Sequence, residues 1–566
     1  MRIILTCFLL SLPFIQLAQY NPDRYKDQIF TTASGETDVK YGKAPQWVWP
    51  YWEEDLKLNV YRPDGDTLTK RPLIIFAHAG GFLNGSKDVD NMLAICDSFA
   101  RKGYVTATID YRKGFNPLDG SSAERAVYRG IQDGKAAVRF FKEKRDTYGI
   151  DTNNIFFGGM SAGGYIALHV GYMDKESERP QSTYGGGTVN NLGCLDCSGN
   201  NYAHSSKVKG VLDYWGAVQD TTIIETGDAP VLIMHGENDP TVPFGVGHPF
   251  GLSTLPSTYG GSPVSTRARN LGLDYEFYTS TGNLHMLDGS DNGTFTNPPN
   301  SFWSDTLLPR TTDFLYRLIK PETIRVSPEI ITVCKGEVFN LDVLHTAGNY
   351  YVWSYGTGVP SVTDLNTSRL SVSYAQPGDY VISVYEYNRI MCAGIPITFT
   401  IRVEEPAVAD FSYAVNGMTV DFSNLSAQAT AYNWNFGDGS TSTQTTPSHT
   451  YSAPGTYDVK LIAEGNCNDT IVKQVIIESL AVEVLSEQLA KVYPNPVGDQ
   501  FVISAASGNQ FSYSITDALG RIIKEGDLNA EIGTVQVDAS LWSKGNYFVI
   551  LQQAETGNRY TVKLIK

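Results

Sequence analysis

The stretch "IFFGGMSAGGYIALHVGY", residues 155–172, carries the strongest clue to the fold. An apolar run ends in two glycines, a serine follows, and another glycine pair opens a stretch with the composition of a helix. Gly159, Ser161 and Gly163 form a GxSxG pattern, which can hold an exposed serine on a sharp strand-to-helix turn. Because the chain has 53 glycines, such a pattern also arises by chance, and its meaning depends on the flanking sequence.

The flanking sequence alternates between short apolar runs and amphipathic stretches of helical length, from about residue 54 to 320. The predicted strands are "RPLIIFAHAGG", "GYVTATIDYR", "NNIFFGGMS", "KVKGVLDYWG" and "APVLIMHGEND", and the predicted helices cover 88–102, 122–147 and a stretch opening at Ala162. This βαβ rhythm predicts an α/β fold, a doubly wound parallel sheet with helices on both faces. The runs are almost continuously apolar, as strands buried on both faces are.

The composition and the first residues of the chain indicate the broad class of protein and its cellular compartment. The 566 residues are 42% hydrophobic and 18% charged, which indicates several globular domains, and the net charge of −16 argues against nucleic acid as a partner. Arg2 followed by the apolar run 3–17 predicts a signal peptide over residues 1–19. No later run of 18 apolar residues follows, so no membrane span is expected.

Candidate catalytic residues follow the predicted strands. The carboxyl ends of parallel strands share one edge of the sheet, so these residues are expected to lie close together. Gly80 and Gly81 end the first central strand, and adjacent glycines leave backbone N–H groups free to bind an oxyanion. Ser161 ends a second strand, Asp239 follows another, and His285 comes after the run "LDYEFY". A serine hydroxyl needs an imidazole to take its proton and a carboxylate to orient that imidazole. The order predicts Ser161 as nucleophile, His285 as base and Asp239 as acid.

Other residues are alternatives for these roles. Glu237 is the second candidate for the acid, since it lies in the same loop. His78 is expected to stabilise the glycine turn, and His169 and His235 are expected to be packed structural residues. His204 and His248 lie in polar loops and are expected to be surface residues.

These residues resemble the α/β-hydrolase fold, and within it carboxylesterases of the hormone-sensitive-lipase type and related peptidase-like esterases. The resemblance covers about 54–320. It implies a catalytic domain over 20–321, oxyanion donors on Gly80, Gly81 and Ala162, and no metal or organic cofactor. "HAGGF" departs from the usual HGGG at Ala79, where the backbone is expected to differ. The polar insert 180–206 follows the nucleophile helix, where such enzymes place substrate-covering caps.

From about residue 322 the sequence pattern changes to short runs of β-forming residues between turns rich in Gly, Asn, Asp and Pro. This pattern predicts three all-β sandwich modules. Residues 322–404 resemble an Ig- or PKD-like sandwich. Residues 407–478, with "YNWNFGDGS" and "SHTYSAPGTYDV", resemble a PKD domain. Residues 488–566, with "VYPNPVGDQFVI" and "KGNYFVIL", resemble the C-terminal sorting domain of type IX secretion. That resemblance implies a secreted or cell-surface protein that leaves a Gram-negative cell through the periplasm, with the secretion machinery as a partner.

Six cysteines follow the predicted signal peptide. Cys194 and Cys197 lack a second ligand pair at zinc spacing, so a small disulfide is preferred over a metal site. Cys334 and Cys392 stand near the ends of one module and are candidates for a disulfide across it. Cys96 lies in an apolar run and is expected to be a buried thiol.

Together these features predict a secreted serine carboxylesterase, with polysaccharide-linked esters and polyesters among its candidate substrates. Two alternatives remain: a serine exopeptidase of the same fold, and a glycan-binding adhesin whose hydrolase domain is idle. A chain ending near residue 320 would carry every predicted catalytic residue and is expected to stay active on small esters.

Overall fold

A computed structural model describes residues 20–46, 52–186, 190–282, 284–295, 297–322, 330–344, 346–355, 367–478, 490–506, 510–528 and 533–566. The predicted signal peptide, residues 1–19, lies outside the described residues. The chain divides into two compact units between Glu404 and Glu405.

The first unit is built on an eight-stranded sheet. Its strands, with two short ones beside it, are β1 (Ala33–Pro45), β2 (Glu53–Pro63), β3 (Arg71–Ala77), β4 (Val105–Ile109), β5 (Ile150–Met160), β6 (Gly210–Tyr214), β7 (Val231–Gly236), β8 (Val246–Gly247), β9 (Thr258–Tyr259) and β10 (Tyr275–Ser280). The sheet order is β1-β2-β4-β3-β5-β6-β7-β10, and β8 pairs only with β9. The six strands from β4 to β10 in that order are parallel. The predicted doubly wound sheet is confirmed.

Helices follow the strands in the predicted rhythm. They are α1 (Asp90–Ala100), α2 (Gly120–Glu143), α3 (Arg145–Tyr148), α4 (Ala162–Tyr172), α5 (Gly261–Leu271) and α6 (Leu308–Ile319). Strands β3, β4, β6 and β7 are buried along their whole length, which explains why their sequences are mainly apolar. Two apolar clusters, one on each face, fill the space between sheet and helices.

The sequence pattern does not predict the first two strands. β1 and β2 form an antiparallel pair that extends the sheet beyond β4. Most of β1 is exposed, and its sequence "ASGETDVKYGKAP" has few apolar residues. An edge strand of this kind lacks the buried apolar run that identifies the central strands.

A small β-sandwich completes the first unit. Its strands are β11 (Ile330–Cys334), β12 (Phe339–Asp342), β13 (Tyr350–Tyr355), β14 (Arg369–Val372), β15 (Gly378–Tyr387) and β16 (Ile397–Glu404). Sheet β11-β16-β15-β13 faces the pair β12-β14 across its own apolar core. The loop between β15 and β16 leaves this core: Ile390 and Cys392 are fully buried among side chains of the large sheet and its helices. The sandwich is therefore packed against the α/β domain.

The second unit contains two further sandwiches. The first has sheets β17-β18-β21 and β20-β19-β22-β23, from β17 (Phe411–Asn416), β18 (Thr419–Asn424), β19 (Ala431–Asn435), β20 (Thr441–Ser442), β21 (Ser448–Thr450), β22 (Gly455–Glu464) and β23 (Asp469–Ile477). The second has sheets β24-β25-β28 and β27-β26-β29-β30, from β24 (Ala490–Tyr493), β25 (Gln500–Ala505), β26 (Phe511–Asp517), β27 (Ile522–Leu528), β28 (Thr534–Asp538), β29 (Asn546–Gln553) and β30 (Arg559–Ile565). The predicted run of all-β sandwiches after the α/β domain is confirmed.

The predictions for the cysteines are confirmed in part. Cys194 and Cys197 form a disulfide, as expected. Cys96 is a buried free thiol, and its burial raises the thiol pKa well above its ordinary value. The disulfide between Cys334 and Cys392 is wrong, because Cys392 is a free thiol buried in the α/β core.

Candidate active site

Ser161 stands on a strained turn between β5 and α4. Its backbone adopts φ 54° and ψ −114°, which few non-glycine residues accept. The flanking glycines are needed for this turn: a Cβ atom on Gly159 would lie 2.2 Å from the carbonyl oxygen of Gly163. A Cβ atom on Gly163 would lie 1.9 Å from the carbonyl oxygen of Ala77. The GxSxG pattern therefore reflects close packing of this turn against β3.

The structure brings the three predicted catalytic side chains together. Nε2 of His285 lies 2.7 Å from Oγ of Ser161, and Nδ1 lies 2.7 Å from Oδ2 of Asp239. With the proton of the imidazole on Nδ1, that group donates to Asp239 and Nε2 accepts from the Ser161 hydroxyl. This is the arrangement that proton transfer from serine to histidine requires.

Asp239 is fixed in a loop directly after β7. Its side chain is fully buried, and Oδ1 accepts the backbone N–H groups of Thr241 and Val242 at 2.7 and 2.9 Å. Burial acts to raise the pKa of this carboxyl, but hydrogen bonds from His235, His285 and Thr241 outweigh it. The pKa of Asp239 is thus held well below its ordinary value, and the carboxylate stays ionised beside His285.

Glu237, the second candidate for the acid, is placed differently. It is exposed, and its backbone N–H donates to the carbonyl of Ser280 at 2.7 Å. The carboxylate that meets His285 belongs to Asp239.

The other histidines take the positions expected of them, with one exception. Burial lowers the pKa of His169 to about 4 and keeps its ring neutral, and His204 pairs with Glu143 at the surface. His248 is exposed. His235 is the exception: it is packed as expected, but its Nε2 lies only 3.5 Å from Oδ2 of Asp239.

The turn after β3 carries the predicted oxyanion glycines. Gly80 and Gly81 have φ of 127° and 58°, and Ala79 is absent from the positive-φ residues. The departure from HGGG is thus accommodated without strain at Ala79. His78 supports the turn, because its Nδ1 lies 2.5 Å from the carbonyl oxygen of Ala79 and its ring stacks on Tyr111. Burial lowers the pKa of His78 to about 3, so this ring is neutral.

An apolar pocket opens beside Ser161, with a volume of ≈ 690 Å³ including its mouth. Gly81 and Ala162 border it, whereas Gly80 lies outside its lining. Its walls are mainly apolar and come from four stretches of chain: Phe82, Phe115, Ala123, Val127, Tyr165, Val242, Pro249, Phe250, Leu255 and Pro256. At one side stand three polar residues, Glu124, His169 and Gln219.

The cover of this pocket differs from the expectation. The insert 180–206 packs against α2, where Arg125 donates to the carbonyls of Ser182 and Asn190 at 2.6 and 2.7 Å. None of its described residues lines the pocket. Residues of the segment 241–258, between β7 and α5, line the pocket instead. The stretch "PTVPFGVGHPFG" was the available signal, since its prolines and phenylalanines mark an apolar loop of fixed shape.

The described part of the chain has no helix long and apolar enough to cross a membrane. Across the same residues, no group of His, Cys, Asp or Glu has the arrangement of a metal site.

An eight-stranded sheet of this order, with a serine on a tight strand-to-helix turn, defines the α/β-hydrolase fold. Residues 58–222 match the family BD-FAE, 409–476 match the PKD domain, and 491–566 match the secretion system C-terminal sorting domain. The chain thus carries a BD-FAE-type α/β-hydrolase domain, a PKD domain and a sorting domain. The sorting domain makes it a secreted or cell-surface protein.

Curated relatives match part of the α/β domain. The chain is 35% identical to "Gut esterase 1" of Caenorhabditis briggsae over 114 residues, 20% of each protein. It is 33% identical to "Carboxylesterase 3B" of Mus musculus over 121 residues, 21% of each. The match spans about a fifth of the length of these relatives. Among solved structures, the apo form of Thermogutta terrifontis esterase 2 is similar at 21% identity and a TM-score of 0.36, covering 50% of this chain and 95% of that one.

Proposed function

We propose that this protein is a secreted serine carboxylesterase that hydrolyses its substrate through an acyl-enzyme. The observation that carries the proposal is the hydrogen-bonded chain from Ser161 through His285 to the buried Asp239, at the edge of an apolar pocket. A neutral imidazole between a hydroxyl and a carboxylate is the arrangement that activates a serine.

In the proposed reaction, Oγ of Ser161 attacks the ester carbonyl while Nε2 of His285 takes its proton. The negative charge that forms on the carbonyl oxygen is bound by backbone N–H groups of Gly81 and Ala162, which border the pocket, and Gly80 remains a predicted third donor. His285 then gives its proton to the leaving alcohol. A water molecule, deprotonated by the same imidazole, releases the acid from Ser161.

The walls of the pocket support an ester with an apolar group next to the carbonyl. The pocket is open at its mouth, where Phe250 is 50% exposed, so a long or polymer-bound alcohol has room outside it. Polysaccharide-linked esters and polyesters both have this form, with one acyl or alcohol group that enters and a chain that remains outside.

A fluorophosphonate probe and a series of p-nitrophenyl esters of increasing chain length test the proposal. We expect the probe to label Ser161 and the Ser161→Ala variant to lose about 10³- to 10⁶-fold in kcat, as removal of a catalytic triad member does. Acetylated xylan and a polyester film extend the series to polymers. A folded, secreted protein that neither takes the probe nor cleaves any ester contradicts the proposal.

A serine exopeptidase remains the second candidate, and Glu124 is the observation that favours it. Among the described residues that line the pocket, Glu124 is the one carboxylate, and such a group can bind the amino terminus of a peptide. Its oxygens already accept hydrogen bonds from Ser182 and Gln219, at 2.7 and 3.1 Å. If the protein is an exopeptidase, it cleaves aminoacyl p-nitroanilides, and the Glu124→Gln variant loses this activity. If the protein is an esterase, the Glu124→Gln variant still cleaves short-chain esters.

A further inference from the structure

His235 lies behind the acid of the proposed triad, near the carboxyl end of β7. Its side chain is fully buried. The backbone N–H of Gly261, at the start of α5, points at Nδ1 of His235 over 3.1 Å. Because this N–H can only donate, Nδ1 must accept, and the ring proton of a neutral His235 is therefore on Nε2.

The Nε2–H group of His235 has two acceptors in front of it. The carbonyl oxygen of Val242 lies at 3.1 Å, and Oδ2 of Asp239 lies at 3.5 Å. Val242 also donates its own backbone N–H to Oδ1 of Asp239 at 2.9 Å. His235 thus contacts both the carboxylate and the loop that holds it.

We propose that His235 is a positioning residue of the triad: its Nε2–H fixes the loop after β7 and shares Oδ2 of Asp239 with His285. This inference rests on the proposed esterase function. The two backbone donors hold only Oδ1, and the proposed role of His235 is to hold the other oxygen in the plane where His285 meets it at 2.7 Å.

The surroundings of His235 suit a ring that stays fixed. The ring of Phe244 packs edge-on against it at 5.7 Å, and a Cβ atom on Gly261 would lie 3.1 Å from Nδ1. Two carboxyl groups act on it electrostatically: Asp239, and Asp213 at the end of β6, whose pKa burial raises to about 7.

The orientation of the ring predicts different outcomes for two variants. In His235→Gln the side-chain amide keeps a donor near the Nε2 position. In His235→Asn the amide oxygen replaces Nδ1 as acceptor for Gly261, but the donor towards Asp239 is lost. Deletion of one hydrogen bond to a charged group lowers kcat by about 10- to 100-fold, so we expect that loss for His235→Asn, with KM unchanged and with partial rescue in His235→Gln.

Two further readouts separate positioning from mere folding. Loss of the Nε2–H donor leaves more negative charge on Asp239, so the acid limb of the kcat/KM profile moves to higher pH in His235→Asn. The low-field proton resonance of the bond between His285 and Asp239, identified by its loss in His285→Gln, shifts in the full-length His235→Asn protein. His204→Gln, a surface change on the pair with Glu143, leaves activity and resonance as in the wild type.

The proposal is overturned if His235→Asn keeps the wild-type kcat, acid limb and proton resonance. It is also overturned if both His235 variants lose kcat equally with the acid limb and resonance unmoved, because that pattern describes a structural residue. Failure of the esterase function has a different result: the wild type cleaves no ester. The proton resonance still tests the role of His235 in that case, since it needs no substrate.

Discussion

The hydroxyl of Tyr25 donates a hydrogen bond of 2.7 Å to the carbonyl oxygen of Ile390, 365 residues further along the chain. Ile390 belongs to the loop between β15 and β16 of the first β-sandwich, and Tyr25 lies before the first strand of the α/β domain. The same loop makes an ion pair of 3.1 Å from Arg389 to Asp151, and Tyr316 donates to the carbonyl of Ala393 at 2.7 Å. This sandwich is thus part of the folded body that carries the candidate active site.

A chain that ends at Glu404 is therefore expected to be stable, whereas one that ends at residue 320 is not. The shorter chain leaves Tyr25 and the apolar surface under Ile390 and Cys392 exposed, and each lost large apolar contact costs about 1.5–3 kcal/mol. Thermal unfolding of the two truncated chains, with esterase activity on a short p-nitrophenyl ester, measures the difference. Equal melting temperatures would favour the boundary near 320 that the sequence alone indicates.

The turn of Ser161 predicts an effect of Gly163→Ala. The added methyl group would lie 1.9 Å from the carbonyl oxygen of Ala77, so α4 must move away from β3. We expect a loss of about 3 kcal/mol or more in the free energy of unfolding, since backbone has to shift. Gly245→Ala is the matched control, because a Cβ atom there meets nothing within 4 Å. Chemical denaturation of both variants measures the effect, and equal stabilities would show that the turn tolerates a side chain.

The sequence predicted those parts of the fold that are determined locally. Buried parallel strands have continuous apolar runs, so β3, β5 and β7 were recognisable, and the order of Ser161, Asp239 and His285 followed from the strand ends. Contacts between distant segments had no such signal. Ile390 and Cys392, in "NRIMCAG", are buried in the core of another domain, a contact that no local pattern predicts. The expected pairing of Cys392 with Cys334 is therefore wrong. The hydrogen bond from Gly261 that fixes the proton of His235 likewise depends on packing 26 residues away.

Asp213 predicts how stability changes with pH. Burial raises the pKa of this carboxyl to about 7, and its Oδ2 is among the buried atoms that lack a hydrogen-bond partner in the described structure. An ordinary aspartate titrates near 3.9, so between about pH 4 and 7 the unfolded chain binds fewer protons than the folded one. The contribution of Asp213 to the free energy of unfolding is therefore fully present below about pH 4 and is lost as the pH rises through about 7.

The Asp213→Asn variant removes this titration and keeps an acceptor for the backbone N–H of Gly216, which Oδ1 holds at 2.8 Å. We expect its melting temperature relative to the wild type to rise steadily from pH 4 to 7 and then to level off. Calorimetry over that range measures the difference. A difference that is constant with pH would mean that Asp213 titrates at its ordinary value in the folded protein.

The last prediction compares the two carboxylates of the loop after β7. The side chain of Asp239 is fully buried, and its Oδ2 lies 2.7 Å from Nδ1 of His285, whereas Glu237 is exposed. Asp239→Asn keeps the shape of the side chain but removes the charge that stabilises the imidazolium and favours the tautomer with its proton on Nδ1. By analogy with the corresponding change in a serine protease, kcat should fall by about 10⁴-fold. Glu237→Gln is the matched control and should keep kcat within about twofold of the wild type, as changes at exposed positions away from a site usually do. Steady-state kinetics on one p-nitrophenyl ester, with melting temperatures to show that both variants are folded, decide the assignment. A greater loss in Glu237→Gln than in Asp239→Asn would assign the acid to Glu237.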